Sequence, residues 1–507
     1  MNFQRRGEPP VRSFDERLDL LGKVAVEVGL GLREGQEVVM TAPLEALPLV
    51  RNITKHAYRA GASLVTTLLS DEEATLLRFR EARDQSFDKA TGWLFDGMAT
   101  AFRAGAARLA IVGENPALLS KEDPQKVARA NRARSAAYQP ALELIAGFDI
   151  NWTIASFATP AWAKAVFPTD PEELAVAELW HGIFAASRID TTDPVADWQA
   201  HNRDLRARSD YLNGKSYAAL HFRGPGTDLV VGLADDHVWA GGATTAKNGI
   251  VCNPNIPSEE VFTTPHKDRV SGRVTSTKPL SYQGTLIEEI AVTFEHGAIT
   301  EARAKTGSEV LNKVLDTDGG ARRLGEVALV PHSSPIAASG LLFYNTLFDE
   351  NAASHIALGQ AYSKCIRDGD KLSEAELTQR GCNRSLIHID WMIGSAEIDL
   401  TASAPTAARS RSCARGSGRT DVKAATTAGG RRPSPRRRPQ QLLREGRSAG
   451  QCAAACSAVK VTRFAGPCAG WRPPFPTAAA GRFVTFVEGH SAESKPDSAS
   501  SPRPPAQ

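Results

Sequence analysis

The sequence predicts an α/β domain with a parallel sheet at residues 14–190, a β-rich α+β domain at residues 191–400 and a disordered basic tail at residues 401–507. Three observations predict this arrangement. Short apolar strands alternate with helical patterns in the first part, and closely spaced strand patterns separated by turn residues fill the second. The third part is rich in Arg, Ala, Pro, Ser and Gly. A chain of 507 residues is long enough for two or three domains.

Strands and helices alternate through the first domain. The strand patterns are EVVMTA (37–42), SLVTTLL (63–69), ARLAIVGE (107–114) and WTIASFA (152–158). A helical pattern follows the first of them, and this order of elements predicts a parallel sheet. No GxGxxG motif follows any of these strands, so we expect no nucleotide cofactor. Helical patterns over residues 170–212 are broken at TTDP (191–194), where we expect the second domain to begin.

In the second domain, strand patterns follow one another closely, as in a β-rich fold. Its strand patterns are YAALHF, DLVVGLA, RVSGRVTST, EEIAVTF and ITEARA. Gly, Pro, Asn and Asp turns separate them, and few helical patterns accompany them. The sequence therefore predicts an α+β domain dominated by strands.

Charge is distributed unevenly along the chain. Residues 401–507 carry 18 Lys and Arg against 5 Asp and Glu, a net charge of +13, whereas residues 1–400 have a net charge of −10. The tail cannot bury enough apolar surface to offset the entropy of ordering, so we expect it to be disordered. Its basic run RRPSPRRRP lacks interleaved aromatic residues, so we expect no nucleic-acid partner. The abrupt change in composition suggests the hypothesis that the tail is translated in a shifted reading frame.

The chain lacks the signals of a membrane or secreted protein. It contains no run of about 18 apolar residues and no apolar segment near its start. Its seven cysteines form no CxxC pair, and the three in the body are too scattered for a disulfide framework. We therefore expect a cytoplasmic protein without a membrane partner.

Two stretches near the end of the second domain could form a metal site. In LIHIDW (386–391), His388 and Asp390 would face the same side of a strand. In TLFDENAASHIALGQAY (346–362), a helix from residue 351 would bring His355 and Tyr362 onto one face, because seven residues turn it by about 700°. Glu350 precedes this segment. Imidazole and carboxylate ligands suit Zn²⁺, Co²⁺ or Mn²⁺.

Four blocks of sequence resemble one known family. They are NPNIPSEEVFTTP (253–265), LGEVALVP (324–331), TLFDENAASHIALGQAY (346–362) and HIDWMIGS (388–395), and they occur in the family's order. On these blocks the chain resembles the M29 metallo-aminopeptidases over residues 14–400. The resemblance implies a cytoplasmic homodimer that releases N-terminal residues from peptides with two divalent ions, Zn²⁺, Co²⁺ or Mn²⁺/Mg²⁺.

The resemblance also implies roles for individual residues, and makes the second domain the catalytic one. The implied metal ligands are Glu260, Glu326, Glu350, His355, His388 and Asp390. Tyr362 would stabilise the oxyanion, and Glu259 or Glu260 would transfer the proton of the attacking water. Adjacent side chains of an extended segment face opposite ways, so one of these two glutamates enters the site. The family's block favours Glu260 as the ligand and leaves Glu259 as a candidate catalytic residue.

Several alternatives stay open at this level. Glu326 could form a salt bridge in an apolar setting, Glu350 could interact with a helix N-terminus, and Tyr362 could be a half-buried aromatic residue. The family resemblance breaks at Leu400, where we expect the closing strand to be lost. An inactive metal-binding homologue and a different two-metal hydrolase are the alternative functions.

Overall fold

The computed structural model describes residues 11–282 and 285–403, and the backbone of a short strand at Ala458–Lys460. The predicted disorder of the rest of the tail lies outside these residues. No helix in this described part of the chain combines the length and the hydropathy that a membrane span requires.

In the first part of the chain, the described residues from 11 to 215 form eight α-helices and four strands. The helices are α1 (Phe14–Val24), α2 (Leu47–Arg59), α3 (Glu72–Glu81), α4 (Gly92–Arg103), α5 (Pro124–Ala146), α6 (Pro160–Val166), α7 (Glu172–Ala186) and α8 (Pro194–Lys215). The strands are β1 (Glu37–Pro43), β2 (Leu64–Ser70), β3 (Ala107–Val112) and β4 (Trp152–Ser156). A π-helix (Ala25–Leu30) continues α1, and 3-10 turns lie at Leu44–Ala46 and Asp84–Asp88.

These four strands form a parallel sheet in the order β2-β1-β3-β4. The predicted parallel α/β fold is therefore confirmed. The predicted break between the last two helices is also found, because α7 ends at Ala186 and α8 begins at Pro194. Asp193 caps α8 by accepting a hydrogen bond from the backbone N–H of Ala196, and proline is favoured in the first turn, where its missing N–H is not needed.

The second part is dominated by strands, as predicted. They are β5 (Ala219–Gly224), β6 (Thr227–Leu233), β7 (Thr244–Thr245), β8 (Val251–Cys252), β9 (Val261–Thr263), β10 (Pro265–Thr275), β11 (Leu280–Tyr282), β12 (Thr285–Ile287), β13 (Ala291–Glu295), β14 (Ala298–Arg303), β15 (Leu324–Leu329), β16 (His355–Gly359), β17 (His388–Met392), β18 (Asp399–Ser403) and β19 (Ala458–Lys460). The helices are α9 (Ser308–Leu315), α10 (Pro335–Ser339), α11 (Thr346–Asp349) and α12 (Glu374–Gln379), with 3-10 turns at Glu350–Ala352, Ser363–Cys365 and Gly369–Lys371.

Two larger antiparallel sheets organise these strands. One has the order β14-β13-β10-β6-β5-β18-β19, and the other has the order β17-β16-β15-β9. A core of large apolar side chains, including Phe222, Phe294 and Trp391, lies between them. The smaller sheet carries the polar residues that the sequence singled out.

The core around the parallel sheet recruits residues from much later in the chain. Phe343 and Phe348 belong to it, and their rings stack with centroids 4.6 Å apart. The indole N–H of Trp162 on α6 donates a hydrogen bond to the carbonyl oxygen of Phe343. The segment just before β16 is thereby fixed against the first part of the chain.

The structure corrects the prediction that ordered structure ends at Leu400. β18 continues to Ser403 and pairs antiparallel with β5 over five residues. The backbone strand β19 pairs with its other edge. Tail composition did not reveal this ladder, since the strand extends only three residues beyond Leu400, too few to give a periodic pattern.

Candidate metal centre

The sheet β9-β15-β16-β17 places most of the predicted ligands on one face. Glu326 of β15 pairs with Ala357 of β16, and Ala357 pairs with Asp390 of β17, so the three residues form one row across the strands. His355 and His388 each lie two residues from this row along their strands, and therefore face the same side. The small Ala357 side chain leaves room between the two carboxylates.

The structure corrects the prediction of a helix from residue 351. α11 spans only Thr346–Asp349, a 3-10 turn covers Glu350–Ala352, and Ala353 is fully extended with φ −160°. His355 begins β16, while Tyr362 precedes the 3-10 turn Ser363–Cys365. Tyr362 reaches the cluster through the loop after β16, where its ring centroid lies 4.8 Å from that of His388, and not through a helix face shared with His355.

Three of the predicted ligands form a close group. One imidazole nitrogen of His355 and one carboxylate oxygen each of Glu260 and Glu326 lie within 4.8 Å of one another. His355 Nε2 is 3.1 Å from Glu260 Oε2, 3.7 Å from Glu326 Oε1 and 3.9 Å from Asp390 Oδ1. All four residues are buried or nearly so.

A second imidazole approaches the same carboxylates from another direction. His388 Nε2 lies 3.8 Å from Glu326 Oε2 and 3.5 Å from Asp390 Oδ1. The two oxygens of Glu326 thus face different histidines, Oε1 toward His355 and Oε2 toward His388.

Hydrogen bonds on the far side of each ring orient the imidazoles. His388 Nδ1 lies 2.7 Å from the carbonyl oxygen of Gln360, and His355 Nδ1 lies 3.2 Å from that of Ala353. A carbonyl oxygen accepts only, so Nδ1 carries the proton in both rings. In the neutral imidazole, Nε2 then keeps the lone pair that faces the carboxylates and can bind a metal.

The buried carboxylates perturb one another. Burial raises the pKa of Glu326. Burial, together with the Glu260 and Asp390 carboxylates, raises the pKa of Glu350 well above its usual range. Burial also acts to raise the pKa of Asp390, but His388 and His355 outweigh it and hold that pKa below its ordinary value.

This excess of negative charge raises the pKa values of the two histidines. Burial acts to lower the pKa of His355, but contacts with Glu260 and Glu326 raise it well above its ordinary value. Burial also opposes protonation of His388, yet Asp390 and Glu326 raise its pKa to about 9. The cluster therefore attracts positive charge, which a bound cation would supply.

The neighbouring glutamates before β9 point to different surroundings. Glu260 lines the cavity beside the histidines, whereas Glu259 Oε1 lies 2.7 Å from Nη2 of Arg188. The backbone N–H of Glu259 donates to Oδ1 of Asn351, and its Oε2 lies 3.8 Å from His201 Nε2. The structure therefore brings Glu260 to the cluster and does not bring Glu259 there.

A cavity of about 240 Å³ opens onto the cluster. Glu350 and Tyr362 line it, and the rings of Tyr362 and His388 have centroids 4.8 Å apart. Glu350 Oε1 accepts weak hydrogen bonds from the side-chain amides of Asn255 and Asn351. Apolar residues form much of the rest of the wall, among them Leu142, Ile145, Phe148, Trp152 and Phe262. Polar groups that could react or bind metal thus share the cavity with a largely apolar wall.

The donor set fits a divalent metal. Ligand atoms on one Zn²⁺ ion are about 2.0–2.2 Å from the metal, so neighbouring ligand atoms lie about 3–4 Å apart. The separations of His355 from Glu260, Glu326 and Asp390 are in this range. Glu260 Oε2 is buried and, among the described residues, makes no hydrogen bond of good geometry, so it is a free acceptor facing the group. A mixed set of imidazole and carboxylate suits Zn²⁺, Co²⁺ or Mn²⁺.

Comparison with known proteins identifies the family of this chain. Residues 14–412 match the family described as thermophilic metalloprotease (M29). The chain belongs to the M29 family. It is 55% identical over 388 residues to aminopeptidase T of Thermus thermophilus, which covers 76% of this chain and 95% of that protein. It is 46% identical to aminopeptidase 2 of Geobacillus stearothermophilus, over 76% of this chain and 94% of that one.

A solved structure is also similar to this M29 chain. Wild-type AmpT from Thermus thermophilus superposes with a TM-score of 0.73 at 53% identity, and covers 77% of this chain and 96% of that one. The fold of this chain is therefore similar to that of a solved structure.

Sequence reasoning missed three contributors to the site of this M29 protein. Arg188 binds Glu259, Asn351 holds the backbone of Glu259, and Lys364 lines the cavity. Arg188 and Asn351 act through distant contacts that no local pattern indicates. Lys364 follows the identified Tyr362 by two residues, and that closeness was the one signal that could have indicated it.

Proposed function

We propose that this metallo-aminopeptidase releases N-terminal amino acids from peptides with two divalent ions, Zn²⁺, Co²⁺ or Mn²⁺/Mg²⁺. The observation that carries the two-ion proposal is the position of Glu326, whose two oxygens face two different histidines. A carboxylate in this position is suited to bridge two metals. The proposed ligands are Glu260, Glu326, Glu350, His355, His388 and Asp390.

The proposed ligands form two groups, one near each carboxylate oxygen of Glu326. His355 and Glu260 lie on the side of Oε1, and His388 lies on the side of Oε2. Asp390 Oδ1 is 3.9 Å from one imidazole and 3.5 Å from the other, so it is placed to serve either ion. When bound, the two ions would polarise the scissile carbonyl and lower the pKa of a water molecule.

Tyr362 would act as a hydrogen-bond donor to the scissile carbonyl. Burial and the Glu326 and Asp390 carboxylates raise its pKa well above the ordinary value, so the phenol keeps its proton. A donor aimed at a carbonyl oxygen stabilises the negative charge that develops there in the transition state.

Proton transfer requires a carboxylate that faces the cavity. Arg188 holds Glu259 in another direction, so the sequence-based assignment of Glu259 as proton acceptor finds no support in the geometry. Of the two neighbours, Glu260 lines the cavity. We assign it the transfer of the water proton to the leaving amine, alongside its role as a ligand.

The acidic surroundings favour a substrate with a free amine. Four carboxylates of the proposed ligand set line or adjoin the cavity, namely Glu260, Glu326, Glu350 and Asp390. A protonated α-amine would be attracted to them, whereas an acylated N-terminus would lose that attraction. We further propose, from the family resemblance, that the protein acts as a homodimer in the cytoplasm. Size-exclusion chromatography with light scattering would test whether it is a dimer.

The experiment compares leucine p-nitroanilide with its N-acetyl derivative on the purified full chain, with metal content measured in parallel. We expect hydrolysis of the free amine alone, loss of turnover on chelation and recovery with Co²⁺ or Zn²⁺. Full turnover by protein shown to be metal-free would contradict the proposal. Hydrolysis of p-nitrophenyl phosphate in place of the anilide would favour a different two-metal hydrolase, and metal binding without any turnover would favour an inactive homologue.

A further inference from the structure

A lysine side chain occupies the wall of the acidic cavity. Lys364 belongs to the 3-10 turn Ser363–Cys365, two residues after Tyr362. Among the described residues that line the cavity, it is the one lysine or arginine. In the described part of the chain, no ion pair or hydrogen bond engages its Nζ, although carboxylates stand nearby in the same cavity.

Three aromatic rings hold this ammonium group. Lys364 Nζ lies 4.0 Å from the ring centroid of Phe148, 5.0 Å from that of Phe262 and 5.6 Å from that of Tyr362. Cation–π contacts at these distances stabilise a charged amine that is partly removed from water. Phe148 adopts φ 52°, in the left-handed region that non-glycine residues rarely use, and its ring is buried. The local backbone is therefore held in an uncommon conformation at the residue nearest the ammonium.

The position of Lys364 relates it to the proposed reaction. Tyr362 stands between the lysine and the cluster, since its ring contacts both the ammonium and the His388 ring. Burial lowers the pKa of Lys364, while charges that include Glu326 and Glu260 act to raise it. The lysine thus shares the cavity with the ligand carboxylates, while its ammonium group lies against three aromatic rings.

We propose that Lys364 binds the C-terminal carboxylate of short peptides, so that dipeptides are preferred substrates. The inference rests on the proposed aminopeptidase function. An unmodified peptide carries an ammonium group at one end and a carboxylate at the other. The cavity presents carboxylates to the first and one unpaired ammonium to the second.

Length decides which peptides can use both contacts. In a dipeptide, one residue of about 3.8 Å separates the scissile bond from the terminal carboxylate. The Tyr362 ring bridges Lys364 and the cluster, because its centroid lies 5.6 Å from Nζ and 4.8 Å from the His388 ring, so Nζ is no farther from that ring than the sum of these two distances. A dipeptide can cover such a span when a hydrogen bond extends it at one end and a metal contact extends it at the other. Each added residue carries the carboxylate farther away, so longer peptides would bind without this contact.

The experiment measures kcat/KM of the metal-loaded full chain on Leu-Gly, Leu-Gly amide and Leu-Glu amide. The amide removes the terminal charge, and Leu-Glu amide offers a carboxylate on a side chain. We expect Leu-Gly to exceed Leu-Gly amide by about tenfold or more, since a charge-assisted hydrogen bond is lost. In Lys364→Met this ratio should fall toward one, mainly through KM. In Lys313→Met, a matched change at an exposed lysine on α9, the ratio should stay as in the unchanged protein.

Each outcome has a definite meaning. Equal hydrolysis of Leu-Gly and its amide by the unchanged protein overturns the inference, and so does a ratio that survives in Lys364→Met with full metal content. A preference for Leu-Glu amide alone assigns the lysine to an acidic side chain and overturns the C-terminal assignment. Failure of the metal-loaded protein to cleave any of the three contradicts the proposed function itself. The comparison on the unchanged protein remains decisive if the Met variant does not fold.

Discussion

Glu259 and Glu260 are adjacent in sequence but their carboxylates have different partners. Glu260 Oε2 lies 3.1 Å from His355 Nε2, whereas Glu259 Oε1 lies 2.7 Å from Nη2 of Arg188. Side chains of neighbouring residues in an extended segment point to opposite sides, which explains the divergence. One carboxylate faces the candidate metal centre, and the other neutralises a largely buried guanidinium group.

This divergence predicts opposite phenotypes for two matched substitutions. Glu260→Gln should lower metal content and activity, because it replaces a charged candidate ligand by a neutral amide. Glu259→Gln should keep metal but lower the free energy of unfolding by about 3–5 kcal/mol, since it leaves Arg188 without its buried counter-charge. Metal analysis and urea unfolding would measure the two effects. Loss of metal in Glu259→Gln with retention in Glu260→Gln would reverse the assignment.

Tyr362→Phe separates oxyanion stabilisation from metal binding. Removing one donor to a developing oxyanion costs about 10²–10³ in kcat. The substitution removes only the hydroxyl, so the ring contacts with His388 and Phe262 should persist and metal content should stay unchanged. Steady-state kinetics and metal analysis on the same preparation provide the test. A variant that loses metal would show that the hydroxyl is a ligand or a structural group.

Two histidine substitutions should distinguish a proposed metal ligand from a histidine that lies outside the cavity. His355→Ala should remove metal and most activity, because His355 Nε2 approaches three of the proposed carboxylate ligands. His332→Ala is the matched control, since His332 does not line the cavity. We expect the unchanged protein and the control to hold two ions per chain by mass spectrometry. One ion per chain in fully active protein would contradict the two-ion proposal.

Much of the fold was predictable from apolar periodicity. EVVMTA and ARLAIVGE correspond to β1 and β3, and the parallel order follows from the helices between them. The error at His355 has a physical origin. The sequence HIALG is a short, wholly buried run, and periodicity cannot distinguish such a strand from a helical turn. Pairing with β15 and β17 on both sides decides its conformation, and that information lies far away in the sequence.

Part of the candidate site was also predictable from the sequence. His388 and Asp390 lie on one face of a strand as the alternation predicted, and β17 confirms that geometry. Which of Glu259 and Glu260 faces the cluster was not predictable, because it depends on the contact of Glu259 with Arg188, which lies 71 residues earlier in the chain. The aromatic cage of Lys364 likewise combines residues from distant segments, such as Phe148 and Phe262.

Strand β18 extends past Leu400, the residue at which the family resemblance was expected to end. Its residues pair with β5 from Asp399↔Arg223 to Ser403↔Ala219, and the backbone N–H of Ala218 donates to the carbonyl oxygen of Ser403. Ala402 is buried in the core of the second part of the chain. Loss of the last three residues of this strand would unpair one end of β5 and expose part of that core.

A chain that ends after Leu400 should therefore be less stable than one that ends after residue 412, where the family match ends. We expect the free energy of unfolding to fall by about 2–4 kcal/mol, from lost ladder hydrogen bonds and exposed apolar surface. Both chains should bind metal and cleave substrate at low temperature, because all six proposed ligands precede β18 and four of them lie on the other antiparallel sheet. Urea unfolding and anilide hydrolysis of the two truncated proteins would measure this. Equal stability of the two would mean that β18 adds nothing to the fold, and loss of activity in the shorter chain alone would show that the strand supports the centre directly.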